Sequence, residues 1–371
     1  MKVFVKLFTA LNLGDDLFLK ILLERYPNTN FILPAPGEYT EIFKDFKNLS
    51  VITQDTSTRK NFVKKCFNYF ERNLLTVNHK RKIQRKYENF FNLNCKECNA
   101  FISIGGSIFM QPKKLAVYSD VVYYQVVNNY FNNAFVIGCN FGPYKNEDYF
   151  YQYKDVFNRM SDVCFREKDS RNKFSQLSNV RYAPDIVFGL KYKAVQKIPK
   201  SVGFSIIAAR NKTDKNSYIT KYVELIAFYQ SQGYKIYLFS FCKRQGDEDM
   251  INTITELLGS VKNINKVFYN GDIDAFLDIY SSVEKMYCGR FHAMILSMLF
   301  EQNIYPIVYS KKMTNVLNDI NYKGKIILME DFHSINPQII YNEITQNYYD
   351  IQSQKKESDK QFKMIDLFLN K

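Results

Sequence analysis

Along the chain, short apolar runs alternate with longer stretches whose apolar positions recur every three or four residues. The short runs are rich in Val, Ile and Phe and bounded by polar or glycine-containing turns. They predict strands over 3–8, 31–33, 51–53, 100–104, 134–138, 163–166 and 180–183. The longer stretches predict helices between them, among them 15–25, 61–91 and 147–160. After a basic segment, "KYKAVQKIPK" (191–200), the alternation restarts, with strands expected over 202–207, 235–239, 266–269, 285–288, 304–308 and 325–329 and helices over 216–232, 273–282 and 292–300. Strand–helix alternation of this kind implies parallel sheets covered by helices on both faces. The expected class is therefore α/β, with two Rossmann-like domains facing a cleft. The bounds that follow are 1–190, a linker at 191–200, a second domain at 201–340, and a polar helical segment at 341–371 packing back across the domains.

A length of 371 residues exceeds one ordinary core, which agrees with two domains, and 46% apolar with 24% charged residues is a globular balance. Tryptophan is absent while Phe (32) and Tyr (28) abound; this bias also follows from AT-rich coding, so aromatic counts alone carry no function. A net charge of +14 calls for an acidic partner. The charge is concentrated: residues 59–86 carry ten Lys/Arg against one Glu, interleaved with Phe62, Phe67, Tyr69 and Phe70. As a basic amphipathic helix (59–91), this stretch suits an anionic membrane surface. A solvated helix with a strong sign bias is the other reading.

Seven cysteines at irregular spacing argue against a disulfide framework, and the single CxxC, Cys95 and Cys98, has no second pair to complete a zinc site. The opening "MKVFVKLFTALNLGDD" has Lys6 inside its apolar run and reads as a first strand, not a signal peptide. No run of about 18 apolar residues occurs, so no membrane span is expected; the location is taken as cytoplasmic, with peripheral attachment at the inner face of the membrane as the reading the basic segment adds.

Only 14 glycines occur, and several fall where strands end: Gly14 in "NLGDD", Gly105 and Gly106 in "SIGGS", Gly138 and Gly142 in "GCNFGP", and Gly289 in "CGRFH". Glycine at a strand end permits either a turn or close approach of backbone amides to a ligand; four strand ends treated alike favour a ligand. "NLGDD" lacks the ending of a phosphate-binding GK[ST] loop and "GGS" lacks the GxGxxG spacing. Nothing therefore points to ATP or NAD. GxSxG, HExxH and acidic clusters with metal spacing are also missing, so no cofactor and no metal are expected.

The segment "YCGRFHAMILSMLF" (287–300) sets Arg290 and His292 between a buried strand and a helix apolar all round. Either the pair satisfies an internal carboxylate and a backbone carbonyl, or it waits for an external anion, which the helix N-terminus and an arginine fork would bind together.

The ordered set "NLGDD", "SIGGS", "GCNFGP", "FREKDS", "APD", "GRFH" and "YPIVYSKK" resembles the polysaccharide pyruvyltransferase family over roughly residues 12–312. Asn140 and Phe141 depart from that family's pattern, at a place that bears on the acceptor site. The resemblance implies a GT-B-like fold and transfer of pyruvate from phosphoenolpyruvate, the co-substrate, to two hydroxyls of a sugar as a cyclic ketal. It implies His292 as general acid or base with Arg290 in the catalytic pair. Arg290, Lys312 and Gly289 of the second domain then bind the donor together with Arg166 of the first, which takes the donor carboxylate or else an acceptor phosphate, and Asn12, Asp15, Gly105, Gly106, Ser107 and Asp185 meet the acceptor on the first. Asp15 has a second reading, as the cap of the helix it opens, and Arg166 has one as the partner of Asp169. The acceptor would be a surface polysaccharide or its lipid-linked or nucleotide-linked precursor, with the 59–86 helix docking at the membrane.

Two rivals share parts of this picture. A GT-B glycosyltransferase using a nucleotide sugar has the same fold and a cationic site. A non-enzymatic basic protein would bind nucleic acid or a membrane surface through 59–86, but no nucleic-acid-binding pattern appears and no nucleic acid is expected. A family member that has lost catalysis would keep the same motifs.

Overall fold

The computed structural model describes residues 1–53, 76–112, 117–193, 195–208, 212–260 and 262–369. The 54–75 part of the basic segment, with Phe62, Phe67, Tyr69 and Phe70, lies outside the described residues. Two compact units emerge. The first comprises Met1–Phe8, Leu19–Asp185 and Asp359–Lys371; the second comprises Thr9–Phe18 and Ile186–Ser358.

The first unit is built on seven parallel strands: β1 (Lys2–Lys6), β2 (Asn30–Ala35), β3 (Leu49–Thr53), β4 (Ala100–Ile104), β5 (Ala134–Cys139), β6 (Asp162–Phe165) and β7 (Val180–Tyr182), in the order β3-β2-β1-β4-β5-β6-β7. Strands such as β4 and β5 are buried at every position, as expected of a parallel sheet covered on both faces. Its helices are α1 (Leu13–Arg25, through which the division between the units passes), α2 (Glu38–Ile42), α3 (Thr76–Asn94), α4 (Ser119–Tyr130), α5 (Glu147–Asn158) and α6 (Lys168–Lys173). Tyr87, Phe90 and Phe91 of α3 pack against the unit's core beside Phe4, Phe101 and Phe131.

The second unit repeats the topology with six parallel strands: β8 (Ile198–Ser205), β9 (Lys235–Ser240), β10 (Ile264–Phe268), β11 (Val283–Cys288), β12 (Asn303–Val308) and β13 (Ile327–Leu328), ordered β10-β9-β8-β11-β12-β13. Its helices are α7 (Lys212–Ser231), α8 (Asp247–Leu258), α9 (Ile273–Ser282), α10 (Phe291–Leu299), α11 (Lys311–Asp319), α12 (Pro337–Glu343) and α13 (Gln352–Ser358), while α14 (Lys363–Leu369) belongs to the first unit. All thirteen predicted strands are present, with ends shifted by a few residues.

Three differences concern segments. Residues 9–18 belong to the second unit, not the first, because the Leu13 amide donates to the Phe241 carbonyl (3.1 Å), the Cys242 thiol reaches the Ala10 carbonyl (3.6 Å), and the Tyr269 hydroxyl donates to Asp16 (2.8 Å). The expected 191–200 linker is shortened by β8, which begins at Ile198. The helical segment expected over 341–371 consists, as far as Leu369, of short helices, and it is divided between the units at Ser358. No helix among the described residues is long and apolar enough to cross a membrane.

Candidate active site

In the second unit, two motifs far apart in sequence meet. Asn12 opens α1: its side-chain oxygen accepts from the Gly14 amide (3.1 Å) and its carbonyl from the Asp15 and Asp16 amides (both 3.0 Å). The cap of this helix is therefore Asn12, which corrects the reading of Asp15 as the cap. The bare Cα of Gly14 is covered by the His292 imidazole; a Cβ placed there would stand 1.7 Å from Nδ1. The ring is held edge to face by Phe18 (centroids 5.1 Å, 87°) and Phe291 (5.1 Å, 84°). Glycine at position 14 is thus needed for space, and the half-buried imidazole sits on the loop that Asn12 shapes.

His292 lies in the first turn of α10, whose eight other residues are all buried. Arg290 is its N-cap residue, in extended conformation with no side-chain cap bond. The amides of Gly289 and Arg290 both donate to Ser205 Oγ (2.9 and 3.2 Å) at the end of β8. A Cβ on Gly289 would stand 2.5 Å from the Ser205 carbonyl oxygen. Gly289 therefore serves the close approach of β8 and β11, and its amide is committed internally.

The guanidinium of Arg290 is buried, donating through Nη2 to Asp247 and through Nη1 to Gln245, while Nε is buried with no hydrogen-bond partner. Asp247 also accepts from the amides of Phe241 (3.2 Å) and Cys242 (3.1 Å). Burial pushes its carboxyl above the ordinary range, and Arg290 pulls in the opposite direction. Of the two sequence readings for Arg290, the internal carboxylate is realised. Lys312, in the first turn of α11, places its Nζ 5.3 Å from the ring centroids of both Phe291 and Tyr309. Ser310, which opens that helix, and Ser240, which ends β9, each keep a buried hydroxyl oxygen without a partner. Buried polar atoms are nearly always bonded; these three lie at or just beyond the carboxyl ends of β9, β11 and β12 and keep bonding capacity there.

The first unit gathers a second group. Arg166, fully buried at the end of β6, donates to Asp185 (2.9 Å) and to Asn140 Oδ1 (2.8 Å), which also accepts from Ser107 (3.0 Å). A Cβ on Gly106 would meet both Nη atoms of Arg166 at 2.9 Å. Gly105, with φ +153°, continues β4 into this group. The partner of Arg166 is Asp185, not Asp169, which pairs with Lys173. Asn140, one of the departures from the family pattern, thus supplies the second acceptor for Arg166, and Phe141 packs into the aromatic core against Phe174 (4.9 Å).

The residues expected to form donor and acceptor sets are therefore regrouped. Asn12, Asp15, Gly289, Arg290, His292 and Lys312 belong to the second unit, and Gly105, Gly106, Ser107, Arg166 and Asp185 to the first. Sequence reasoning missed Asp247, Gln245, Ser205 and Phe18. The one signal was "FCKRQGDED", a glycine followed by acids just past a strand, with nothing local to link Asp247 to Arg290. Cys95 and Cys98 are free thiols; Cys95 is held above the ordinary thiol range by its contact with Cys98, which is lowered by the same contact.

The sequence model of the polysaccharide pyruvyl transferase family matches residues 12–311. Comparison with curated protein sequences finds no match. Among solved structures, the chain is similar to UDP-GlcNAc 2-epimerase of Methanocaldococcus jannaschii in complex with UDP-GlcNAc and UDP (TM-score 0.59, 10% identity, 100% of each chain covered). It is also similar to UDP-GlcNAc 2-epimerase of Neisseria meningitidis bound to UDP-GlcNAc (TM-score 0.60, 8% identity, 100% and 99% covered). A glycosyltransferase from Rickettsia africae aligns as well (TM-score 0.50, 9% identity, 99% and 98% covered). At such identities the likeness shows the fold, a GT-B-like pair of Rossmann-like units.

Proposed function

The chain belongs to the polysaccharide pyruvyl transferase family, and from that premise we propose that it transfers the pyruvyl group of phosphoenolpyruvate to two hydroxyls of one sugar, forming a cyclic ketal. The observation that carries this reading is the seating of His292 on Gly14, which brings the "NLGDD" and "GRFH" motifs into one place. Phosphoenolpyruvate is an enol ester whose methylene carbon must gain a proton before C2 becomes electrophilic. A histidine, able to hold or release a proton near neutrality, is the side chain suited to that transfer. In balanced form, His292 as imidazolium gives its proton to C3 and a sugar hydroxyl adds to C2. The second hydroxyl then displaces phosphate at C2. One hydroxyl proton restores the imidazolium and the other leaves with phosphate.

The donor's negative charge calls for cationic side chains beside it. Arg290 is paired with Asp247, so its net field is small and its remaining offer is the Nε–H. We give Lys312, whose Nζ lies 5.3 Å from the Phe291 and Tyr309 ring centroids, a counter-charge role toward the donor, with Arg290 holding the turn that presents His292. The Ser240 and Ser310 hydroxyls and the α11 N-terminus add donors for phosphate or carboxylate oxygens. Gly105, Gly106, Ser107 and Asp185 remain the candidates for acceptor contacts. Arg166, committed to Asp185 and Asn140, orients that group instead of meeting the donor. We place the reaction on a lipid-linked or nucleotide-linked precursor of a surface polysaccharide, in the cytoplasm.

The test is phosphate release from phosphoenolpyruvate in the presence of a panel of sugar acceptors, with thermal unfolding run in parallel against phosphoenolpyruvate, UDP, GDP and CMP. His292→Asn removes the proton donor and is expected to lower kcat by about 10²–10⁴-fold. Gly14→Ala should lower kcat comparably by displacing the imidazole. Lys312→Gln should raise KM for phosphoenolpyruvate with less effect on kcat. Arg290→Ala is a poor probe, because leaving buried Asp247 unpaired costs about 3–5 kcal/mol of stability whatever the function. Stabilisation by a nucleotide with indifference to phosphoenolpyruvate would replace this reading with a glycosyltransferase.

A further inference from the structure

Lys6 ends β1, an interior strand of the first sheet, and pairs in register with Ser103 of β4. Between these two strands the order reverses: β2 and β3 lie to one side, β4 to β7 to the other. Loops leaving the sheet diverge at such a point and open a crevice at the carboxyl edge, where open α/β sheets bind ligands.

The surroundings of Lys6 are all uncharged or otherwise occupied. Its Nζ lies 4.2 Å from the ring centroid of Tyr123 and 4.1 Å from that of Tyr124, both on α4. The Tyr124 hydroxyl is bonded to Ser103 Oγ at 2.7 Å. The carboxylate that acts on Lys6 through space, Asp120, accepts from the hydroxyls of Tyr149 (3.0 Å) and Tyr153 (2.8 Å). Among the described residues no carboxylate lies within 4.0 Å of Nζ and no hydrogen-bond acceptor meets it. Nor is the side chain fully enclosed, being half-buried. Two aromatic faces attract an ammonium but leave its N–H groups short of acceptors. A cation kept at a ligand-binding edge with its donors unused is completed by an oxyanion arriving from outside.

We propose that Lys6 is an oxyanion-binding position of the first unit, taking a phosphate or carboxylate carried by the sugar acceptor. That the ligand is an acceptor rests on the pyruvyl-transfer reading; that it is an oxyanion does not. Phosphate would come from a diphosphate-linked precursor, carboxylate from an acidic sugar, and the two are separable by probe.

Reductive ¹³C-dimethylation keeps the lysine charge and gives each lysine an NMR signal; that of Lys6 is the one missing from Lys6→Arg protein. Titration with pyrophosphate and, separately, glucuronate at matched chloride should move the Lys6 signal saturably with one of them, which names the source. By calorimetry, Lys6→Met should bind that probe about tenfold more weakly, the size of one charge-assisted hydrogen bond, whereas Lys6→Arg should stay within about threefold. An unmoved Lys6 signal with both anions, or unchanged affinity in a Lys6→Met protein shown to be folded by its melt, overturns the proposal. His292→Asn protein should keep the Lys6 response, and a parent protein that shows no pyruvyl transfer but an intact Lys6 response would defeat only the functional reading.

Discussion

At the scale of single residues, Lys6 also makes a prediction about stability. Burial pulls its ammonium from the ordinary value of 10.5 down to about 8, with Asp120 opposing the shift, while burial keeps Tyr123 and Tyr124 above the ordinary tyrosine range and hence neutral. Below pH 8 both folded and unfolded chains hold the proton, and the folded state bears the full desolvation cost, about 2 kcal/mol after discounting for partial exposure. Between pH 8 and 10.5 the unfolded chain keeps a proton that the folded one has released, so stability gains with rising pH in that window. Lys6→Met, which packs a thioether on the same rings, is expected to be more stable than the parent at pH 7 by about that amount. The gap should close as pH approaches 10.5. Denaturant unfolding at pH 7, 9 and 10.5 measures this; a variant less stable at pH 7, or a gap independent of pH, would show that the amine is hydrated like any surface lysine. Residues kept despite such a cost are commonly kept for function.

At the scale of elements, α3 shows how far a sequence pattern reaches. Lys80, Arg81, Lys82, Arg85 and Lys86 are all exposed, but Tyr87, Phe90 and Phe91 are taken up by the core of the first unit. An amphipathic helix whose aromatic side is already packed keeps only scattered apolar side chains such as Val77 and Leu93 exposed, so membrane contact of this helix is mainly electrostatic. Binding to liposomes rich in anionic lipid should therefore weaken steeply as salt shortens the screening length. Replacing the five basic residues with Gln should abolish co-sedimentation; unchanged sedimentation of that variant would remove α3 as the contact. Strands were the most legible elements, because a parallel strand buried on both faces, such as "AFISI" or "AFVIG", is a continuous apolar run whatever surrounds it. Helix α4, "SDVVYYQVVNNY", carries the β-branched and aromatic residues of a strand and is helical through the packing of Val121, Tyr124 and Val127 in the core. His292 and Arg290 stood out because charge beside an apolar helix demands a partner. Their actual neighbours, Gly14, Phe18 and Asp247, lie far away in sequence, and only the folded second unit brings them together.

For the molecule as a whole, the chain returns at its end to the unit where it began, and Gln361 is the clasp. It is fully buried: Oε1 accepts from the Gly138 amide (2.9 Å), and Nε2 donates to the carbonyls of Ala183 (2.7 Å) and Pro184 (3.1 Å). Gly138 sits at φ +72° in an irregular step of the β5–β6 pairing, a backbone state suited to glycine that leaves its amide for Gln361. Around this centre Arg181 donates to the Gln361 carbonyl (2.8 Å), Asp366 accepts from Arg25 (2.7 and 3.0 Å) and Tyr26 (2.7 Å), and Phe368 packs on Phe135 (5.6 Å). The 3₁₀ turn Asp359–Phe362 and α14 thus complete the covering of β5 to β7. Gln361→Leu keeps the volume but leaves a buried amide and two carbonyls with lost partners, a cost of about 2–3 kcal/mol. Because the clasp lies wholly within the first unit, hydrogen exchange should localise the damage. Amides of β5, β6 and β7 are expected to exchange roughly 30- to 100-fold faster, and those of β8, β9 and β11 at the parent rate. Equal acceleration in both sheets would mean that the two units unfold as one cooperative body, and no acceleration in either would mean that the clasp contributes nothing to the first sheet. Either result would require a different account of why the last helix of the chain belongs with its first strand.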